Sequence, residues 1–156
     1  MQPDLENLIY AVASEYRIDP EFFKALVIYA GADPNKVTPG TPFPLCYARE
    51  YADKNEIPYP EEAQLQSSLL GLTQLPGVWA RRLGFERHLR ELLHAETNLR
   101  LAAQRIQGLF EDYGYEADVI AAYHTGTTFR YSGGLYGNER QVDEFFTVLR
   151  ELRKLK

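Results

Sequence analysis

Apolar residues recur at helical spacing along most of this chain. Leu5, Leu8, Ile9 and Val12 follow one another at three- and four-residue steps, the period that lines up one buried helix face. A second helix starts within "RIDPEFFKALVIYAGADP", with Asp19 as its expected N-cap, Pro20 at the first helical position, and Gly31 and Pro34 as stops. Over residues 38–60 the period is lost. "TPGTPFPLCYAREYADKNEIPYP" carries Pro39, Pro42, Pro44, Pro58 and Pro60, leaving room for one short helix at about Tyr47 to Asn55. A connection of that length is either a functional element or a tolerated insertion, and the pattern leaves both open.

Helical pattern returns from Glu61. "PGVWARRLGF" predicts a short helix closed near Gly84. "ETNLRLAAQRIQGLFEDYG" predicts the clearest helix, with Leu99, Ala102, Ala103, Ile106, Leu109 and Phe110 as its apolar stripe and Gly114 as its cap. "EADVIAAYHTG" gives another short helix and "RYSGGLYGN" a glycine-rich loop. Asn138 is the expected cap of a last helix with Val142, Phe145, Phe146, Leu149 and Leu152 inward. No stretch alternates for long, nothing repeats and no heptad persists. The expected fold class is all-α, one domain over residues 1–156 with a Pro-rich insertion at about 39–66.

Composition narrows the function classes. A chain of 156 residues with 45% hydrophobic content supports one domain with one core. Its formal net charge of -5 argues against nucleic acid as a partner, which needs a basic face. The basic tail "LRELRKLK" (Arg150, Arg153, Lys154, Lys156) is expected to be a solvated helix end, cations near the negative pole. Cys46 stands alone, so no internal disulfide and no metal cluster are expected, and no cofactor is. "MQPDLENLIYAVASEY" has neither a basic n-region nor an unbroken apolar run, and no segment approaches a membrane span. With no signal peptide expected, the chain is expected to be cytoplasmic as synthesised, or virion-associated if it reaches a cell wall. His88, His94 and His124 lack metal-ligand spacing, so surface or capping roles are expected of them. There is no nucleophile-elbow serine and no phosphate loop.

Three ordered segments rise above this background: "GLTQLPGVWARRLGF" (71–85), "ETNLRLAAQRIQGLF" (96–110) and "AAYHTG" (121–126). Together with "GADPNKVTP" before them, they resemble the lytic transglycosylases of the lysozyme superfamily. That pattern runs catalytic Glu-Ser-x-x-Asn-Pro, Gly-Leu-Met-Gln, Glu-Thr-Asn heading a long helix, then Ala-Ala-Tyr-Asn-x-Gly. The order holds from about Leu8 to Leu152, and "GLYGNERQVDEF" is similar to the family's closing segment, with Gln141 where a tyrosine is usual. The resemblance implies a lysozyme-like helical domain, peptidoglycan or a related glycan as partner, and a sugar cleft bordered by the insertion.

Carried across residue by residue, the resemblance places Tyr29 at the catalytic glutamate and Ala30 at the serine after it, with Asp33-Pro34 for Asn-Pro. Thr38 matches a hydroxyl residue lining the cleft. Gln74 matches the glutamine that hydrogen-bonds substrate, with Thr73 replacing the methionine. Tyr123 matches the tyrosine facing the acid, and His124 replaces the asparagine beside it. In the family the glutamate protonates the oxygen joining N-acetylmuramic acid to N-acetylglucosamine, then acts as base while the muramyl O6 closes an anhydro ring.

Tyrosine suits neither step, because its reference pKa of about 10 lies several units above that of a carboxyl. Losing a positioned acid or base costs about 10²- to 10⁴-fold, and here one residue would serve twice. The expected function is a pseudoenzyme retained for glycan binding or as a structural component of an assembly such as a phage particle, with protein partners. The alternative is an active peptidoglycan-cleaving enzyme with a relocated carboxylate: Asp33, an expected turn residue, is the backup candidate. Glu50, Glu56, Glu61 and Glu62 are expected to be solvated surface charges. With Tyr123, Tyr29 can be read as an aromatic platform for a sugar ring or as a helix-face aromatic closing an unused cleft. An engineered replacement would alter position 29 alone, whereas Ala30, Thr73, His124 and Gln141 depart from the pattern as well.

Overall fold

A computed structural model describes residues 1–41, 43–126 and 137–155. Residues 127–136, which hold most of the expected glycine-rich loop RYSGGLYGN, therefore lie outside the described residues. The chain divides into two compact units, one formed by 1–29 and 103–156 and the other by 30–102.

The first unit is helical. It contains α1 (Pro3–Glu15), α2 (Pro20–Tyr29), the later turns of α6 (Ala95–Tyr113), α7 (Glu116–Thr125) and α8 (Glu139–Lys154). Asp19 caps α2 as the sequence predicts, its Oδ2 accepting the Phe22 backbone N–H at 3.1 Å. Phe22 then anchors the core, edge-on to Phe110 at 5.4 Å and to Phe145 at 5.2 Å. Ile9, Val12, Ile106, Val119 and Leu149 are buried with it. Asn138 stands at the N-cap of α8 as expected, and its carbonyl accepts from Gln141 and Val142. Its side chain makes no capping bond to the first turn of α8 and instead donates to Gln141 Oε1 at 3.2 Å. Of the basic tail, Arg153 and Lys154 stand in the last turn of α8 as expected, and Arg153 bridges Glu116 (2.7 Å) and Asp19 (3.2 Å); Lys156 lies outside the described residues.

The second unit corrects a purely helical reading. Besides α3 (Ala48–Lys54), α4 (Tyr59–Gln66), α5 (Gly77–Arg82) and a 3₁₀ turn at Leu89–Leu93, it holds a small antiparallel sheet in the order β1 (Val37–Pro39), β2 (Ser68–Leu70), β3 (Leu75–Pro76). Thr38 pairs with Leu69 and Leu70 with Leu75. Strands of two or three residues that include Pro39 and Pro76 are too short to show alternation, so the pattern left no trace of them. The protein is mostly helical with this one sheet among the described residues.

The connection from β1 to β2 is held by a buried charge pair. Glu62 and Arg81, both fully buried, meet through two hydrogen bonds of 2.6 and 2.9 Å. Arg81 also donates to the carbonyls of Phe85 and Arg87 and lies over the Tyr51 ring, while Gln66 ties Glu62 to both backbone groups of Cys46. Glu62 is thus the reverse of a solvated charge. No buried side-chain nitrogen or oxygen of Glu62, Gln66 or Arg81 lacks a partner, which is what permits an ionised group in a dry site. No helix of the described residues is long and apolar enough to cross a membrane.

Candidate functional site

The expected site residues fall into two groups, one in each unit. In the second unit, the tight turn from β2 to β3 carries Gly-Leu-Thr-Gln (71–74) and is built around Asn98 in the first turns of α6. Asn98 Oδ1 accepts from the backbone N–H of Thr73 at 3.0 Å and from its hydroxyl at 2.7 Å. Its Nδ2 donates to the carbonyls of Leu70 (2.7 Å) and Leu92 (3.0 Å). One buried amide therefore fixes both the turn and the chain entering α6. Gly71 is required beside it, because a Cβ there would overlap the Leu92 carbonyl and the Asn98 amide, and its φ is +72°.

Gln74 sits in the left-handed region at φ +51°, held by its own side chain. Its Nε2 donates to Lys36 O (3.1 Å) and Gly71 O (3.0 Å), and its Oε1 accepts from the Thr38 hydroxyl at 2.6 Å. All its donors are used. The Thr38–Gln74 pair offers a ligand only acceptors, the remaining lone pairs of the threonine hydroxyl and the amide oxygen. Thr38 is exposed on β1, so a ligand O–H or N–H can reach it.

The first unit holds Tyr29, Tyr123 and His124. Tyr29, the last residue of α2, lies edge-on to His124 at 5.2 Å and to Phe145 at 6.4 Å. His124 in turn lies edge-on to Tyr123 at 5.6 Å. Histidine thus separates the two tyrosines in the series of ring contacts. Tyr123 is 1% exposed, leaving no face on which a sugar ring could stack in this arrangement. Burial raises the Tyr29 pKa first, and the nearby Glu144 carboxylate raises it further against the opposing Arg140. The phenol stays neutral through the physiological range and supplies no base. His124 is also neutral: desolvation pushes its pKa down to about 4, against the opposing hydrogen bond to the Ile120 carbonyl. Half-buried at the end of α7, it is neither a surface nor a capping residue; His88, by contrast, caps the 3₁₀ turn as expected.

Asp33 forms an exposed turn and accepts the backbone N–H of Asn35 at 2.9 Å. Glu61 is paired with Arg90, Glu62 is locked to Arg81, and Glu50 and Glu56 are exposed. Glu144, on α8, was not signalled by any motif and is the carboxylate whose charge Tyr29 feels; it pairs with Arg140 at 2.9 Å. Asn98 was likewise missed as a site residue, although a helix-disfavouring Asn beside Leu99 in the first turns of a helix is a signal. Among the described residues no cluster of His, Cys, Asp or Glu is placed to hold a metal ion.

No family model, curated protein or solved structure matches this chain.

Proposed function

We propose that this chain is a lytic-transglycosylase-like domain of the lysozyme superfamily that no longer cuts glycan. It is kept to bind a peptidoglycan-type glycan or to serve as a structural component of an assembly such as a phage particle. The observation that carries the loss of activity is the setting of Tyr29. A proton-transfer residue must exchange its proton near the working pH. Tyr29 is held neutral by burial and by Glu144. Among the described residues its hydroxyl has no hydrogen-bond partner, and the rings of His124 and Phe145 pack against it.

Support for glycan binding comes from the Thr38–Gln74 pair. Its unused acceptors suit sugar hydroxyls or the N–H of an N-acetyl group, and the strained Gln74 backbone fits a position held for recognition. Titration with N-acetylglucosamine oligomers, followed by NMR, tests this directly. The amides of Thr38 and Gln74 should shift saturably, and unmoved signals at millimolar sugar would remove glycan binding.

A further inference from the structure

The small sheet has a second face, and it carries a different chemistry. Thr38, Leu69 and Pro76 share one side, whereas Val37, Pro39, Ser68 and Leu70 fall on the other by alternation. On that other side, away from Thr38, lies a cavity of about 260 Å³. Leu65, Ser68 and Leu70, nearly fully buried, line it together with Leu93, and Glu61 and Arg90 belong to its more exposed lining.

The charged pair is only half used. Arg90 Nε meets Glu61 Oε1 at 3.3 Å, and His88 Nε2 lies 3.5 Å from the same oxygen. His88 Nδ1 accepts the Arg90 backbone N–H at 3.0 Å, so in the neutral ring Nε2 carries the hydrogen and faces Glu61. Both contacts fall on the same Glu61 oxygen, and only the one from Arg90 is a hydrogen bond. Glu61 Oε2 and both terminal amino groups of Arg90 have no protein partner among the described residues. An acceptor with negative charge and donors with positive charge stand side by side over an apolar floor. A simple anion would meet Glu61 and a simple cation would meet Arg90, so each is opposed. A molecule carrying both charges on neighbouring atoms satisfies both. The cavity is smaller than the roughly 300 Å³ at which drug-sized sites begin, which suits a single side chain and not an extended ligand.

We propose that this cavity binds a free apolar α-amino acid, with the ammonium on Glu61, the carboxylate on Arg90 and the side chain against Leu65 and Leu70. It does not depend on the transglycosylase-like reading.

The test is an amide NMR titration with L-leucine, run beside glycine, leucinamide, N-acetyl-leucine and N-acetyl-leucinamide. Leucine should shift the signals of Leu65, Leu70 and Leu93 saturably. Each molecule lacking one charge, or the side chain, should bind about tenfold more weakly or worse, the loss expected for one charged hydrogen bond or a buried side chain. Arg90→Met and Glu61→Gln should each weaken leucine by a similar factor while leaving thermal unfolding nearly unchanged, because both side chains sit at an exposed mouth. No saturable shift at about ten millimolar leucine, roughly ten times the concentration that half-saturates a site of about 1 mM affinity, would overturn the proposal, as would equal responses to the blocked compounds. A response to N-acetyl-leucinamide alone would also overturn it, showing that the cavity accepts a side chain from a polypeptide.

Discussion

At the turn between β2 and β3, the side chains of Thr73, Gln74 and Asn98 all have hydrogen-bond partners, and Gly71 is fitted against them without room for a Cβ. At the end of α2, the Tyr29 hydroxyl has no hydrogen-bond partner among the described residues; its ring lies against His124 and Phe145, with Glu144 and Arg140 acting on it through charge. On the proposed reading, the two regions correspond to two parts of one family pattern. In the first, polar groups hold the backbone, so losing one would damage the fold. In the second, a catalytic carboxylate would add nothing to folding and would have to be desolvated beside Phe145 and Glu144. A neutral phenol there avoids the cost of a buried charge. If the proposed reading holds, the chemistry was lost while the scaffold persisted, because the two are maintained by different free energies.

The difference can be broken at several points. Asn98→Ala should have the largest effect, because it removes the four hydrogen bonds through which the buried amide holds Thr73, Leu70 and Leu92. Stability should fall by about 3–5 kcal/mol, read from urea unfolding. Next comes pH. His124 stays neutral in the fold down to about pH 4, whereas a free histidine protonates near 6.5. Between those values the unfolded chain binds more protons, so stability should decline as pH falls through that window. The loss should total roughly 3 kcal/mol and level off below about pH 4, and His124→Gln should flatten this slope in unfolding midpoints measured across it.

Gln74→Ala should cost only about 1 kcal/mol, because the carbonyls of Lys36 and Gly71 keep their backbone partners, Gly71 N–H and Gln74 N–H. Binding of N-acetylglucosamine oligomers should nonetheless be lost, separating recognition from folding. Tyr29→Phe should have the smallest effect, within about 0.5 kcal/mol, since it removes a hydroxyl with no partner. A loss of several kcal/mol in calorimetry would show that the hydroxyl has a structural task.

The helices were readable because their apolar stripes are long: Asp19, Gly114 and the Leu99–Phe110 stripe marked ends and faces that the structure reproduces. The sheet was not readable, since it is made by register between Val37–Pro39 and Ser68–Leu70, some thirty residues apart, with no local period. Glu62 was misjudged for a related reason. It and Glu61 are neighbours in sequence, yet one helical step separates a buried pairing with Arg81 from a half-exposed one with Arg90. Sequence spacing shows which face a residue shares; it does not show which distant arginine meets it. Among the candidate residues of the two units, the positions of Tyr29, Thr38, Gln74, Tyr123 and His124 came from motif order alone. The clamp by Asn98 and the Glu144 field on Tyr29 depend on tertiary packing that no motif encodes.

The most direct measurement is digestion of purified peptidoglycan by the folded, unmodified protein, with the soluble products analysed by mass spectrometry. With Tyr29 neutral and no carboxylate in its place, no anhydromuropeptides and no reducing-end muropeptides should appear above the blank. Either product, abolished by substituting Asp33 or Glu144, would contradict a retired active site and identify the carboxylate that replaced the lost acid.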